Sequence, residues 1–493
     1  MTAPVRPPVA WRPLAALCVA FLALLIVVSD GYGYHRDELY FIAIGGHPAF
    51  GYVDQPPLVP LLAHAIDAAS GHSLVWLRVA PAVAGAVVVL VTGLLAREFG
   101  GGRAVQLLAA AAMAVSGFTL GTSHLMSTTT FDLLGWTVLS WLIVRALRTD
   151  GRVWLLAGLV AGVALEVKTL PIFFVFALAV GVLVAGPRQV FRSPWLWAGA
   201  AVALALWAPN LVWQATHGWP QLTLSKAIAA GHSGSSQPRA LFIPYQFLLM
   251  CPPLCPIWLA GLWRLSRDRE LALWRCLPIS YGVLAVIFIA TGGKPYYLCG
   301  LYPALFAAGA TPAYRWMKSR SDGRVIVGTV LAVSAVVDAL VGLPLVPASA
   351  LHDTPIVAMN YDAGEQVGWP RFVQTVAGAY AALPPSQRAH AAVLTGNYGE
   401  AGALLRFRPG LPHVYGAQNS MWDLGPPPVG ITSAIVLGFR RSDLAQWFGS
   451  VRQVATIDNG VQLDNDEQGG AVWLCAAPRQ SWPELWQRMR QLG

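Results

Sequence analysis

Apolar stretches of roughly 20 residues recur along most of this chain, and nothing else in it constrains the fold as strongly. A helix of that length crosses a bilayer core of about 30 Å, and lipid offers the backbone no hydrogen-bond partners, so such stretches fold as helices. Suitable segments lie at 14–28, 76–95, 104–121, 131–147, 153–170, 171–186, 195–212, 242–263, 275–291, 296–312 and 324–343, about 11 spans. Charged residues make up only 12% of the 493, against about 25% in a soluble chain, and the mean hydropathy is +0.54. The sequence therefore predicts a polytopic α-helical membrane protein. The first segment has the length of a signal-peptide core, but no small-x-small site follows it, so it is expected to stay as an uncleaved span. No internal repeat is visible, and the only low-complexity run is at 231–236.

The net charge of +9 would point to nucleic acid in a soluble protein. Here the positive-inside bias explains it, and no nucleic-acid partner is expected. Alternating the spans puts seventeen Lys and Arg on one side, from Arg6 and Arg12 through Arg97, Arg103, Arg145, Arg148 and Arg152 to Arg324, and six on the other. The richer side is the cytoplasm. The amino terminus is then cytoplasmic, while the first loop and the carboxy-terminal tail face outward from the cell (inner, plasma) membrane.

From Pro344 the apolar runs shorten. Ala391–Gly396 reads as a buried strand, Glu400–Arg406 as a helix, Ala434–Phe439 and Asp443–Phe448 as a second strand and helix, and Val472–Ala476 as a further strand. That order predicts a membrane domain over 1–343 and an extracytoplasmic α/β domain over 344–493. Gly396, Gly399 and Gly402 do not have dinucleotide-binding spacing and fit strand-to-helix geometry.

Chemistry is expected where charge meets the outer face. Tyr34-His35-Arg36-Asp37-Glu38-Leu39-Tyr40 follows the first span and reads as a loop, since four ionisable residues in a row do not lie in lipid. Asp54-Gln55-Pro56-Pro57-Leu58 follows it. Arg78 opens the second span, Asp132 the fourth, Lys168 closes the fifth, and Lys294 precedes Pro295-Tyr296-Tyr297. Brought to one outer cavity, these groups would bind an anionic head group and activate an alcohol. Blander readings stand beside that one. Asp132 would cap a helix, Lys168 would snorkel, Arg78 would anchor head groups, and Tyr296 and Tyr297 would join an aromatic belt. The charged loop would be merely solvated. Neither the histidines nor Cys251 and Cys255 have metal-ligand spacing, so no metal is expected.

The Asp37-Glu38 pair after span one, the acidic-x-Pro-Pro-Leu turn at 54–58 and Lys294-Pro295-Tyr296-Tyr297 before a late span resemble a known set of enzymes. These are the polyprenyl-phosphate-sugar glycosyltransferases of the protein mannosyltransferase and aminoarabinose transferase type, family 39, with the GT-C membrane fold. Thr395-Gly396-Asn397-Tyr398-Gly399-Glu400-Ala401-Gly402 and Gln418-Asn419-Ser420-Met421-Trp422 resemble the tails of bacterial members. The resemblance implies Asp37 as general base and Glu38 as a residue orienting base or acceptor. It implies that Asp54, Gln55, Arg78, Asp132, Lys168, Lys294, Tyr296 and Tyr297 bind donor phosphate or substrate. Aminoarabinose transferases carry a phosphate-binding Lys before the Pro-Pro turn; here that position is Gln55, which shifts the weight to Lys294, Lys168 and Arg78. The donor would be a sugar on a polyprenyl phosphate, and the acceptor a hydroxyl on a protein, lipid or polysaccharide. No cofactor is implied. The leaving phosphate is a weak base, so one carboxylate suffices where a glycosidase needs two. Two other classes compete: a transporter or flippase of lipid-linked precursors, which would favour internal repeats and midplane polar groups, and a non-catalytic envelope assembly protein.

Overall fold

The computed structural model describes residues 4–149, 151–231, 237–407, 411–412 and 414–493; residues 232–236 of the low-complexity run lie outside them. The chain forms two compact units. One comprises Met1–Ser29, Arg78–Trp219 and Ile228–Leu343, the other Asp30–Leu77, Pro220–Ala227 and Pro344–Gly493.

The first unit is helical, and each expected apolar segment coincides with a helix or an adjoining helix pair. Among the described residues, four helices are long and apolar enough to cross a membrane: Leu74–Glu98, Pro194–Thr216, Ala272–Thr291 and Gly323–Gly342. Two bent pairs raise the number to 6: Arg103–Ala114 with Gly117–His124, bent by 62°, and Arg239–Leu249 with Pro252–Arg267, bent by 77°. Length and composition thus support fewer crossings than 11, because Trp11–Val27, Val153–Leu165 and Pro171–Ala185 stop short. Trp136 stacks on Phe174 with ring centroids 4.6 Å apart inside a core that also holds Phe99, Trp274 and Phe306. Helices Cys255–Arg267 and Tyr302–Ser319 approach so closely that a Cβ on Gly261 or Gly309 would strike the facing backbone. Such small-residue contacts replace the hydrophobic drive that lipid removes.

The second unit is built on a five-stranded sheet: β1 (Ala391–Thr395), β2 (Val414–Gly416), β3 (Ser433–Leu437), β4 (Phe448–Thr456) and β5 (Ala471–Pro478). The spatial order is β2-β1-β3-β5-β4, with β2, β1 and β3 parallel and β5 antiparallel to both β3 and β4. β1 and β3 are buried throughout, which explains their unbroken apolar sequences. Trp447, Phe448, Trp482 and Trp486 pack on the core beside β3. The expected strands and helices of the tail are all present; β2, β4 and the helices Trp369–Ala381 and Trp482–Met489 are among the additional elements.

The stretch read as a loop at Tyr34–Tyr40 is instead the start of a helix, Arg36–Gly45, followed by a second, Leu58–Ala69. His35 caps the first. Its Nδ1 accepts from the Asp37 amide at 3.2 Å, and Glu38 Oε2 accepts from the His35 amide at 2.8 Å, a capping box with histidine in the usual serine place. Helix Tyr398–Phe407 packs on Arg36–Gly45 through a glycine face. A Cβ on Gly399 would lie 2.6 Å from Arg36 Cβ, and one on Gly402 would lie 2.8 Å from the Leu39 carbonyl carbon. Gly402→Ala is expected to cost about 1–3 kcal/mol by overpacking. Gly378→Ala, at a helical position with nothing within 4 Å, should be neutral or stabilising. Melting temperatures of the two purified variants check this.

Candidate active site

In the second unit, Asp37 stands in the first turn of the Arg36–Gly45 helix, where the helix dipole favours a carboxylate. The Tyr398 hydroxyl donates to its Oδ1 at 2.8 Å. One donor leaves most of the lone-pair sites of a carboxylate able to accept a substrate proton. Glu38 is fully buried and gives one oxygen to the capping box, so its visible work is to fix the turn that carries Asp37.

Arg36 anchors the same turn from the other side. Its Nη1 lies 3.1 Å from Glu365 Oε2 and 3.2 Å from Asp466 Oδ2, and donates to the Tyr361 hydroxyl at 2.9 Å. The guanidinium lies over the rings of Tyr361 and Tyr398, at 5.1 and 5.7 Å from their centroids. Tyr361 in turn hydrogen-bonds Asp466. Burial holds the Glu365 carboxyl above the usual range, with the Arg36 charge opposing it.

Asp54 is tied into the same unit. Tyr40 Oη donates to Asp54 Oδ1 at 2.8 Å and accepts from the Ser420 amide at 3.2 Å, while the Tyr40 ring lies 4.6 Å from that of Tyr398. Asn419 Nδ2 lies 3.5 Å from Asp54 Oδ2, and Ser420 Oγ accepts from the Val53 amide at 2.8 Å. Asn419 reaches Asp54 from a left-handed backbone (φ 49), which asparagine tolerates better than most residues. Gln55 is buried, and its Nε2 has no hydrogen-bond partner among the described residues.

The first unit gathers five of the expected residues. Lys168 Nζ donates to Thr129 Oγ1 at 3.2 Å and lies 5.1 and 5.5 Å from the ring centroids of Tyr296 and Tyr297. Lys294 Nζ lies 5.9 Å from the Tyr296 centroid. The two tyrosines meet edge to face at 5.0 Å. Asp132 is buried, within the electrostatic reach of Lys168, and accepts from Trp136 Nε1 at 2.9 Å. It does not cap its helix: the cap is Ser127, whose Oγ accepts from the Thr130 amide at 3.3 Å. Arg78 is buried rather than presented to head groups, with Nη1 bound to the Ser29 carbonyl and 3.2 Å from His124 Nε2. Two ammonium groups beside phenol rings and hydroxyls suit a phosphate oxyanion. Among the described residues, no group of three or more His, Cys, Asp or Glu is placed to hold a metal ion.

Sequence reasoning assigned no role to Tyr398, Tyr40, Arg36, Asn419 or Ser420. Tyr398, Asn419 and Ser420 do lie in the two tail stretches that resemble bacterial members of the family, which was the available signal.

Burial pushes the Asp54 carboxyl up to about 7, with the nearby Asp37 charge adding to it and the Tyr40 hydrogen bond opposing. A folded pKa above the unfolded value of about 3.9 means that the stability this group contributes is complete at low pH. It is lost as pH rises through about 7. Asp54→Asn removes that loss. The variant should gain on the wild type in melting temperature between pH 5 and pH 8, and a pH-independent difference between the two would contradict the assignment.

Residues 54–213 match the model of the family described as dolichyl-phosphate-mannose-protein mannosyltransferase, which is less than half of the chain. Crystal structures of ArnT from Cupriavidus metallidurans, bound to undecaprenyl phosphate and in the apo state, are similar at a TM-score of 0.62 and 15% identity. The similarity covers 94% of this chain and 99% of ArnT. The arabinofuranosyltransferase AftD from Mycobacteria is similar at a TM-score of 0.52 and 13% identity, over 97% of this chain and 40% of AftD. No curated protein matches the chain by sequence. The resemblance read from the sequence is thus borne out: part of the chain, residues 54–213, matches the mannosyltransferase family model, and most of its length shares the GT-C membrane fold of these structures.

Proposed function

We propose that this protein transfers a sugar from a polyprenyl-phosphate carrier to a hydroxyl acceptor at the outer face of the membrane, with inversion. The observation that carries this reading is the Asp37 carboxylate, fixed at a helix start and oriented by the Tyr398 hydroxyl. ArnT, which shares the fold, has been crystallised with undecaprenyl phosphate, and this supports a lipid-linked donor.

In the proposed step the acceptor O–H bond breaks and its proton passes to Asp37. The acceptor oxygen forms a new bond to the anomeric carbon, and the bond from that carbon to the phosphate oxygen breaks with its electron pair. The phosphate leaves as a stable anion, so no general acid is required. Lys168 and Lys294, with the hydroxyls of Tyr296 and Tyr297, bind the carrier phosphate and stabilise its growing charge. Asp132 sets the charge balance around Lys168. Gln55 offers a neutral amide donor where aminoarabinose transferases have a cation. Asp54 and Glu38 are positioning residues, one through Tyr40 and the other through the capping box. Arg78 belongs to the support of its helix.

The same reading keeps about 11 spans, a cytoplasmic amino terminus, a membrane domain over 1–343 and an extracytoplasmic domain over 344–493. The acceptor hydroxyl is carried by a protein, lipid or polysaccharide.

The test is transfer from a polyprenyl-phosphate sugar by the purified protein. Asp37→Asn should lower kcat by about 10²–10⁴-fold with the melting temperature kept, and full activity in that variant would overturn the assignment. Lys168→Met should act chiefly on donor KM, by about tenfold or more. An unchanged donor KM would remove Lys168 from the phosphate site.

A further inference from the structure

Glu98 ends the helix Leu74–Glu98, and its side chain is only 2% exposed. A buried carboxylate needs one cation, and this one has four. Arg6 Nε lies 2.7 Å and Arg148 Nη1 3.5 Å from Oε2, while Arg97 Nη1 lies 3.9 Å and Arg145 Nε 4.0 Å from Oε1. Part of the excess goes to backbone carbonyls: Arg97 Nε donates to Pro7 at 2.7 Å, and Arg148 Nη2 donates to Pro4. Arg145 and Arg148 also lie over the rings of Trp141 and Trp274, at 4.8 and 5.2 Å. Donor capacity remains. Arg6 Nη2 and Arg145 Nε are buried with no hydrogen-bond partner among the described residues. Burial, and then the nearby Arg6 charge, pull the Arg148 pKa below its ordinary value, as expected where cations crowd.

A solvated positive-inside fringe does not look like this. Its arginines would be separated and exposed, whereas these converge on one point and are only 13–36% exposed. We propose that the four arginines around Glu98 form a binding site for a phosphate oxyanion, supplied by an anionic phospholipid head group or by free phosphate. The planar fork of arginine matches phosphate oxygens two at a time, and basic pockets at the ends of membrane helices suit lipid head groups. Glu98 keeps the guanidinium groups converged while the site is empty, and its own charge weakens the bound anion.

The experiment uses the full chain in phosphatidylcholine nanodiscs, with either phosphatidylglycerol or inorganic phosphate added. Melting temperature and retained lipid, read by native mass spectrometry, are the readouts. At least one additive should stabilise the protein, and Arg6→Gln with Arg145→Gln should weaken that by about tenfold or more. Stabilisation by phosphatidylglycerol alone assigns the lipid, and stabilisation by inorganic phosphate assigns the free anion. Glu98→Gln removes the competing carboxylate and should bind the same additive more tightly. The proposal is overturned if neither additive acts, or if the double variant responds like the wild type. Should the double variant not fold, unchanged or weaker binding by Glu98→Gln overturns it.

Discussion

The hydrogen bond from the His35 amide to Glu38 is the contact on which the role proposed for Asp37 depends. Without it the first turn of the Arg36–Gly45 helix would fray, as uncapped turns do, and Asp37 sits in that turn. Capping fixes the backbone, Arg36 fixes its outer side through Glu365 and Asp466, and Tyr398 fixes the carboxylate itself. Each layer works only if the one beneath it is in place. Four consecutive ionisable residues therefore divide the labour: one caps, one anchors, one is presented and one closes the cap.

The first unit solves a different problem. A lysine near apolar helices must find electron density without being neutralised if it is to hold an anion as proposed. Phenol rings do this, since their faces attract a cation and carry no full charge. Lys168 and Lys294 lie over Tyr296, with Tyr297 alongside Lys168. Asp132, a carboxylate within the electrostatic reach of Lys168, has an oxygen engaged by the Trp136 indole. The Glu98 cluster shows the contrasting case, in which arginines surround a full negative charge directly.

Much of this was legible in the sequence. The apolar segments located the helices because lipid leaves a chain few alternatives, and unbroken runs such as Ala391–Thr395 marked strands buried on both faces. Asp37, Lys168 and Lys294 stood out because charge is costly beside a membrane, and Tyr296 through the motif that follows Lys294. Other features were hidden for identifiable reasons. The helix at Arg36 has a histidine cap, which does not advertise a helix start as serine does. The helix Trp482–Met489, opened by a capping box between Ser481 and Glu484, was not among the expected elements. β2 has three residues, too few to show a period, and β4 is a largely exposed edge strand without regular apolar alternation. Helix length and composition alone support 4 to 6 crossings among the described residues, because several apolar segments are shorter as helices than as hydropathy runs. The bond between Asp37 and Tyr398 spans 361 positions, and no local pattern encodes a pairing at that distance.

That distance bears on how the molecule comes to be made. The second unit is stitched from Asp30–Leu77, Pro220–Ala227 and Pro344–Gly493, so its earliest helix emerges from the ribosome long before the sheet that completes it. Until Tyr398, Gly399 and Gly402 have been synthesised, the Arg36–Gly45 helix has the early Leu58–Ala69 helix to pack on but lacks the glycine face of the helix Tyr398–Phe407. Assembly of the reactive end is thus deferred to the close of translation. A nascent chain halted before the tail would lack the Tyr398 hydroxyl that orients Asp37 and the glycine face that packs on its helix.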